Sequence, residues 1–595
     1  MIKTKWDLSQ IYANWNEFDL DFKKVKSYLP EYLSLKGKFV NGDKEVLLKY
    51  FKLDEKNDPL LEKLAVYARC KKDENAQDVE SSRRYMAIND YFAYYCEQVA
   101  FVKCELSNLD EDFLTSLLSD PDFNDYSRSI NSIIRQKRHI PTERENQLIA
   151  SMSSFSDYHD TFSTLVDIEM HFDDVEDENG NKISLHNGNY NFLLKNPNQA
   201  FRKRVMDTYL EEFNRFKLTI SNLYISNVKY KNLIAKLSKF DSVLEMDADG
   251  DEITKDIMIN NKTYVEKNAK LLQRFFDIKK KYLGLEKFYA SDIYAELVSD
   301  TESKETQEKL RFEDCIDDIF ASYKPLGIDY QLMFKKALDE GWFDVYPDPN
   351  KANGGYTIST YLIHPYILLN FDGTEHWKSA ITHEFGHAMH SYFSTKAQPY
   401  AKSGYTIFIA EVASLTNEVL LSKYLLEKET DRLKKIKIIS NFLSLFYLNV
   451  FNTSILSEFE YFAHTKISEG VSLSAEDLSN EFLSICKRYF GDSVVINDNF
   501  KYDWERKSHI FRDYYVYKYS TGLVSACAIA SKILSDKTGE YTNKYLKFLE
   551  IGDSASPLES LAVAEIDITK EETYNYAFSI FEEYVKMLEE LYEEN

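Results

Sequence analysis

Apolar residues recur every three or four positions over most of this chain, a spacing that is typical of amphipathic helices. The pattern is clear from Trp6 to about Tyr126, and Asp58–Cys70 is one example within it. Asp58–Pro59 predicts a helix start there, because proline is favoured in the first turn of a helix. Helical spacing resumes from Asn198 to about Leu283 and again from Asp431 to the end. The chain is therefore predicted to be mostly α.

Two short stretches break the helical pattern. Between Val166 and Leu194 the acidic loop Asp173–Asn181 separates two strand-like pieces, and it lacks the full spacing of a calcium loop, so a hairpin is predicted. A second strand-like stretch, Tyr361–Phe371, follows a turn at Asn353–Tyr356. Pro365 lies within it and cannot donate a ladder hydrogen bond, which predicts an edge strand or two separate pieces. A small sheet is expected at this point of the chain.

The helix-like run that follows contains the pattern His-Glu-x-x-His at His383–His387. Residues four apart lie one turn above each other on a helix, so His383 and His387 can offer two imidazole nitrogens to one metal ion. Glu384 can take a proton from the water that attacks the substrate. The alternative is a chance match on an amphipathic helix, and the chain's 11 histidines are too few to favour it.

A hydrolytic zinc site needs three protein ligands and one open position, so the third ligand must come from elsewhere in the chain. Glu411 is the best candidate, because it lies in the apolar helical run Ile407–Leu420, where an unpaired carboxylate would be costly. Glu418, two turns further on, either orients one of the histidines or is an exposed helix carboxylate. His390 would crowd the metal as a third ligand from the same helix, so we interpret it as a satisfied helix histidine or a hydrogen-bond partner.

His383–His387 followed by Ala410–Ser414 resembles the thimet oligopeptidase family of zinc metallopeptidases, and within it the oligoendopeptidase F group. Further matching segments are Trp6–Leu8, Asn370–Gly373, Gln398–Tyr400 and Tyr514–Gly522, so the similarity spans nearly the whole chain. The resemblance implies a mostly α fold in which two helical halves enclose a deep substrate channel. It also implies a zincin-type catalytic core with a small β-sheet.

The resemblance implies hydrogen-bond donors for the oxyanion that forms when water attacks a peptide bond. His509, Tyr514 and Tyr517 fall where related enzymes contact the substrate and the transition state. Tyr514 and Tyr517 are three residues apart and would share a helix face. Taken alone, a run of tyrosines is more often core packing than catalysis, and it is the resemblance that favours the catalytic interpretation.

Composition bears on partners and compartment. A net charge of −24 over 595 residues argues against a nucleic-acid backbone or an anionic membrane as the partner. The first residues lack the apolar stretch of a secretory signal, and no uninterrupted run of about 18 apolar residues predicts a membrane span. The six cysteines are scattered without paired metal-binding spacing, which predicts reduced thiols in a cytoplasmic protein.

The sequence therefore predicts a cytoplasmic enzyme that uses one Zn²⁺ ion to hydrolyse internal bonds of short peptides. Residues 1–195 are expected to form an N-terminal helical region with a hairpin-like end, and residues 196–595 the zinc metallopeptidase region. Two alternatives stay open: a zinc carboxypeptidase or dipeptidase, and a non-catalytic helical peptide-binding protein with a structural metal. An edge strand before the zinc helix would suit a peptide substrate, because an extended chain can add itself as another strand. The alternative is that the small sheet only covers the zinc helix and has no part in substrate binding.

Overall fold

The structure is a computed structural model, and it describes residues 2–141, 144–145, 148–149, 152, 158–298 and 310–593. Most of these residues are helical, which confirms the predicted mostly α fold. The helices are α1 Trp15–Leu33, α2 Lys44–Glu74, α3 Val79–Ser107, α4 Glu111–Leu117, α5 Ser127–Lys137, α6 Tyr158–Thr164, α7 Asn187–Leu193, α8 Gln199–Leu237, α9 Val243–Gly250, α10 Asp256–Lys267, α11 Ala269–Tyr282, α12 Phe312–Ser322, α13 Ile328–Glu340, α14 His376–Ala397, α15 Ile407–Lys428, α16 Arg432–Phe446, α17 Thr453–Ser468, α18 Ala475–Phe490, α19 Tyr517–Ser535, α20 Glu540–Ile551, α21 Pro557–Val563 and α22 Glu571–Glu593. The strands are β1 Val175–Glu176, β2 Lys182–Ile183, β3 Phe343–Asp344, β4 Tyr356–Thr360 and β5 Ile363–Leu368.

The chain divides into two compact units, each built from discontinuous stretches. Unit 1 comprises residues 1–140, 309–424 and 529–566, and unit 2 comprises residues 141–308, 425–528 and 567–595. The predicted division at 195/196 coincides with no limit of either unit, and it stays a prediction about the chain's organisation. The predicted substrate channel also stays a prediction.

Unit 1 packs its first helices, α1 to α3, against the small sheet. Their buried side chains form one hydrophobic cluster that reaches Tyr366 and Leu368 of β5. The indole nitrogen of Trp6 donates to the carbonyl oxygen of Ile367 at 2.8 Å, and its ring meets Tyr366 edge-on. The start of the chain is thereby attached to the strand that precedes α14.

The position of Pro365 in the sheet differs from the prediction. The strand order is β3-β5-β4, so β5, which contains Pro365, is the middle strand and β4 is an edge. β5 pairs parallel with β3 and antiparallel with β4, and the β4 register shifts between Ile358 and Thr360. Pro365 lies opposite that irregularity, where the ladder is interrupted, so its missing N–H removes no regular hydrogen bond.

Helix α2 corrects the predicted start at Asp58–Pro59. The helix begins at Lys44, where the side chain of Asp43 accepts the amide of Glu45, and it continues through Pro59 to Glu74. An interior proline costs about 3 kcal/mol of helix stability. The buried leucines around it, including Leu60 and Leu64, each contribute about 1.5–3 kcal/mol and outweigh that cost.

Unit 2 is arranged around the 39-residue helix α8, which packs against α17 and the 3₁₀ stretch Asp498–Arg506. Near its start, Arg202 forms a fully buried ion pair with Asp292 at 2.7 Å. The predicted hairpin is confirmed, since β1 and β2 pair antiparallel with Val175 opposite Ile183.

One helical stretch of the described residues, Arg432–Ser468 in unit 2, is long and apolar enough to cross a membrane. Of its most apolar window, with a mean hydropathy of 1.3, 56% is buried inside the protein, as in the core helix of a folded domain. The prediction that the chain has no membrane span stays a prediction.

Candidate metal centre

The three predicted metal ligands come together in unit 1. His383 and His387 lie on α14, and Glu411 lies on α15. The two Nε2 atoms are 3.2 Å apart, and Glu411 Oε2 is 3.5 Å from that of His383 and 3.6 Å from that of His387. Among the described residues, this is the one group of three histidine, cysteine or acidic side chains whose ligand atoms gather within 4.8 Å.

The spacing of these three atoms fits a zinc ion. Zinc binds imidazole nitrogen and carboxylate oxygen at about 2.0–2.2 Å in a tetrahedron, which places neighbouring ligand atoms about 3.3 Å apart. The observed separations of 3.2 to 3.6 Å lie close to that edge length. Two nitrogens and one oxygen are also the donor set of hydrolytic zinc sites, which keep a fourth position open.

Gly386 allows α14 and α15 to approach closely enough for this arrangement. A Cβ atom at position 386 would lie 2.5 Å from Ser414 Cα and 2.8 Å from the carbonyl oxygen of Ala413. These neighbours are backbone atoms, so they could move only if the helix moved. Glycine in the His-Glu-x-x-His motif therefore brings α15 within ligand distance of the two histidines.

Glu418 orients one of the histidines. Its Oε1 accepts a hydrogen bond from His383 Nδ1 at 2.7 Å, and its Oε2 accepts one from the hydroxyl of Ser379. The carboxylate is only 9% exposed, which excludes the interpretation as an exposed helix residue. With its proton on Nδ1, His383 presents the lone pair of Nε2 to the ligand cluster.

His390 lies outside the ligand cluster. It is fully buried, and its ring stacks on Tyr405 with centroids 3.8 Å apart. Neither ring nitrogen has a hydrogen-bond partner among the described residues, so it is a packed histidine rather than the satisfied one we expected. Burial lowers its pKa to about 3, which keeps the ring neutral.

Glu384 is held by a residue that the sequence did not single out. The hydroxyl of Thr357, on strand β4, lies 2.8 Å from Glu384 Oε2 and 2.7 Å from the carbonyl oxygen of the same residue. A hydroxyl has one proton, so it donates to one of these oxygens at a time. A threonine in a strand is ordinary in sequence, and only the packing of β4 beside α14 identifies this contact.

Burial and neighbouring charges set the protonation of the cluster. Burial acts to lower the pKa of His383, but the hydrogen bond and charge of Glu418, with Glu411 and Glu384, raise it to about 9. Burial, together with the charge of His383, places the pKa of His387 well below its usual value. Burial raises the pKa of Glu384. A proton on His383 therefore competes with a metal ion for the cluster.

The other predicted site residues, His509, Tyr514 and Tyr517, lie in unit 2. His509 is exposed in the short 3₁₀ turn Ser508–Phe511, and Tyr517 begins α19. Tyr514 lies in a turn before that helix, so the prediction that Tyr514 and Tyr517 share a helix face is wrong. Tyr514 and Tyr517 are each only 1% exposed, and burial holds the pKa of both phenols well above its usual value. Their part in catalysis stays a prediction.

Two other tyrosines of the same run are more accessible. Tyr515 and Tyr519 are half-buried, and their hydroxyl oxygens lie 3.1 Å apart. The ring of Tyr515 lies nearly parallel to the imidazole of His509 at 6.5 Å, and the Arg512 guanidinium is 4.2 Å from its centre. The four-residue spacing of Tyr515 and Tyr519 was visible in the sequence, but the pattern did not show which tyrosines face inward.

Comparison with known proteins decides the family. The model of Peptidase family M3 matches residues 192–580, and the Oligopeptidase F model matches residues 105–172. The chain belongs to peptidase family M3.

Several known proteins are similar to this chain over nearly its whole length. Oligopeptidase PepF of Bacillus subtilis is 32% identical over 98% of this chain and 87% of that protein. An oligoendopeptidase F homolog of Borreliella burgdorferi is 31% identical over 97% of this chain and 96% of that protein. The crystal structure of oligoendopeptidase-F from Enterococcus faecium has a TM-score of 0.74 at 25% identity, covering 98% of this chain and 99% of that one. A solved Chlamydophila abortus structure has a TM-score of 0.91 at 29% identity, covering 99% of this chain and 98% of that one.

Membership in family M3 confirms the resemblance drawn from the motifs. The protein is a metallopeptidase that acts on oligopeptides, and its family implies a divalent metal ion. Among the described residues, His383, His387 and Glu411 form a group that could hold such an ion.

Proposed function

We propose that this M3 peptidase uses one zinc ion to hydrolyse internal bonds of short peptides. The observation that carries the proposal is the convergence of His383, His387 and Glu411, with ligand atoms 3.2 to 3.6 Å apart. These three side chains would hold the ion, and a hydrolytic zinc site needs no further protein ligand. Glu384 directly follows His383 in the sequence, so its carboxylate can serve as the base for the attacking water.

Each side chain has a separate task in the proposed reaction. Bound zinc would act as a Lewis acid toward the attacking water and the scissile carbonyl. Glu384 accepts one proton of that water as its oxygen bonds to the peptide carbon, and later delivers the proton to the departing amine nitrogen. The hydrogen bond from Thr357 keeps the Glu384 carboxylate in one orientation during both transfers.

We further propose that β4 binds the substrate backbone. It is an edge strand of the sheet, it packs against α14, and its Thr357 contacts the proposed base Glu384. An extended peptide added to this edge would be recognised through its backbone groups, which occur in every sequence. The prediction of a peptide-binding edge thus moves from the strand with Pro365 to β4.

The oxyanion donors are proposed to be His509, Tyr514 and Tyr517, as the resemblance implies. A phenol or imidazole N–H that meets the developing charge stabilises the transition state more than the ground state. The half-buried pair Tyr515 and Tyr519 is a second source of donors, favoured by its exposure. We also propose a cytoplasmic setting, supported by six cysteines that form no disulfide among the described residues.

Peptides blocked at one or both ends test the proposed specificity. An endopeptidase cleaves an oligopeptide that is acetylated at its N-terminus and amidated at its C-terminus, since it needs neither free end. A carboxypeptidase or dipeptidase leaves that peptide intact and cleaves the version with a free terminus. Cleavage confined to free-ended peptides would overturn the endopeptidase assignment, and mass spectrometry of the products identifies the bond in either case.

A further inference from the structure

The segment that leads into α19 contains an unusual backbone conformation. Tyr514 has a φ of +49°, in the left-handed region that side chains with a Cβ atom rarely adopt. Such a conformation costs on the order of 1–2 kcal/mol for a residue other than glycine, so the surrounding structure must hold it. The turn lies between His509 and Tyr517, so it sets the direction of the proposed donors on both sides.

A buried carboxyl group contacts this turn. The amide nitrogen of Tyr514 donates to Glu460 Oε1, on α17, at 3.2 Å. Glu460 is 0% exposed, and its Oε2 has no hydrogen-bond partner among the described residues. Because the backbone amide is used, this contact fixes the turn itself rather than the phenol of Tyr514.

The charged groups around the turn are paired without Glu460. Asp513 forms an ion pair with Lys231 at 2.8 Å and lies 3.5 Å from His464. Lys518 forms ion pairs with Asp251 at 2.7 Å and with Asp247 at 3.1 Å. Both lysines are therefore committed to other carboxylates, and among the described residues Glu460 has no cationic partner within ion-pair distance.

A carboxyl group in such a place reduces the stability of the fold. Burial, together with the charge of Asp513, raises the pKa of Glu460 well above its usual value, because both disfavour the charged carboxylate. Removing a carboxyl from water without a cation is unfavourable, and an apolar side chain of similar size would be better there for stability alone. An apolar side chain could not accept the hydrogen bond that the Tyr514 amide donates to Glu460.

We propose that Glu460 is a positioning residue, whose carboxyl oxygen holds the left-handed turn at Tyr514 and thereby aims the donor segment His509–Tyr519. The inference rests on the proposed function, in which this segment supplies hydrogen bonds to the oxyanion. It assigns Glu460 no contact with substrate. Its effect should appear in the order of the turn and in kcat, and not in the stability of the fold.

Three variants test this role. Glu460→Gln keeps an oxygen that can accept the Tyr514 amide, whereas Glu460→Leu removes it at similar volume. Glu505→Leu is the matched control, because Glu505 is also fully buried in unit 2 and neither of its oxygens has a hydrogen-bond partner among the described residues. For each variant we would measure hydrogen exchange in the peptide that covers residues 509–519, the melting temperature, and kcat and KM on one short peptide.

Glu460→Leu should lose exchange protection in this peptide and lower kcat by a factor of roughly 10², because a displacement of about 1 Å in a catalytic group can have that effect. KM should stay near the wild-type value and the melting temperature should not fall, and Glu460→Gln and Glu505→Leu should match wild type in protection and kcat. Unchanged protection in Glu460→Leu, or a loss of kcat that only follows a loss of stability, would overturn the positioning role. A third outcome is that Glu460→Leu loses exchange protection but keeps the wild-type kcat, and that His509→Ala also keeps the wild-type kcat. Glu460 would then still anchor the turn at Tyr514, but the donor role of the segment would be overturned.

Discussion

Glu384 is the residue whose replacement separates metal binding from catalysis. Glu384→Gln keeps the ligand atoms of His383, His387 and Glu411 and the contact with Thr357, but it removes the base. We expect full zinc content and a kcat lowered by a factor of about 10²–10⁴. Metal analysis and peptide assays on the same preparation check both parts. A variant that loses its zinc, or that cleaves at the wild-type rate, would contradict the assignment of Glu384.

Glu411 and Glu418 are distinguished by the order of their effects on zinc affinity. Glu418 bonds His383 at Nδ1, the ring nitrogen that lies away from the cluster, so Glu418→Ala should weaken binding by about 10–100-fold. Glu411→Ala removes a ligand atom and should weaken it further. Competition with a chelator of known affinity measures both. Equal affinities, or the reverse order, would require a different third ligand.

The donor role of Tyr517 is tested by removing one hydroxyl. Tyr517→Phe should lower kcat by a factor of about 10²–10³ while KM stays close to wild type, because an oxyanion donor acts mainly in the transition state. Tyr514→Phe, Tyr515→Phe and Tyr519→Phe serve for comparison under the same conditions. Losses confined to Tyr515 and Tyr519 would move the role to the accessible pair. Wild-type kcat in all four variants would show that these tyrosines serve only in core packing.

At the scale of elements, the distance between α14 and α15 determines whether the site exists. Gly386→Ala places a Cβ atom 2.5 Å from the backbone of Ser414, so the two helices must separate. We expect a loss of stability of about 1–3 kcal/mol and weaker zinc binding, because Glu411 moves with its helix. Gly404→Ala is the control, since a Cβ atom there meets nothing within 4 Å. Gly386→Ala with the zinc affinity and melting temperature of the control would show that the close approach is not required.

The elements that the sequence predicted well are those in which local pattern and packing agree. The proximity of His383 and His387 follows from helical spacing, and that of Glu411 from one charge in an apolar helix, whereas the role of Glu384 stays a prediction. The two prolines were misread, because the buried neighbours of Pro59 and the irregular register opposite Pro365 depend on distant parts of the chain. Thr357 and Glu460 could not be predicted, since each acts through a contact with a residue far away in sequence.

At the scale of the whole molecule, the mostly α class was predictable because helical spacing covers most of the chain. The composition of the two units was not, since each is assembled from three separate stretches. Two of the divisions, at 424/425 and 528/529, fall within the helices α15 and α19, so the helical pattern of the sequence continues across them. Packing between stretches that are distant in sequence determines the units.

We propose that the protein works as an endopeptidase through a single zinc ion held by His383, His387 and Glu411. The most direct measurement removes bound metal with a chelator and then adds zinc stepwise, with cleavage of a peptide blocked at both ends as the readout. We expect activity to disappear with the metal, to return in proportion to added zinc and to saturate at one ion per chain. The Glu411→Ala variant should need far more zinc to recover its activity. Cleavage that persists in the metal-free protein, or that does not return with zinc, would contradict this proposal.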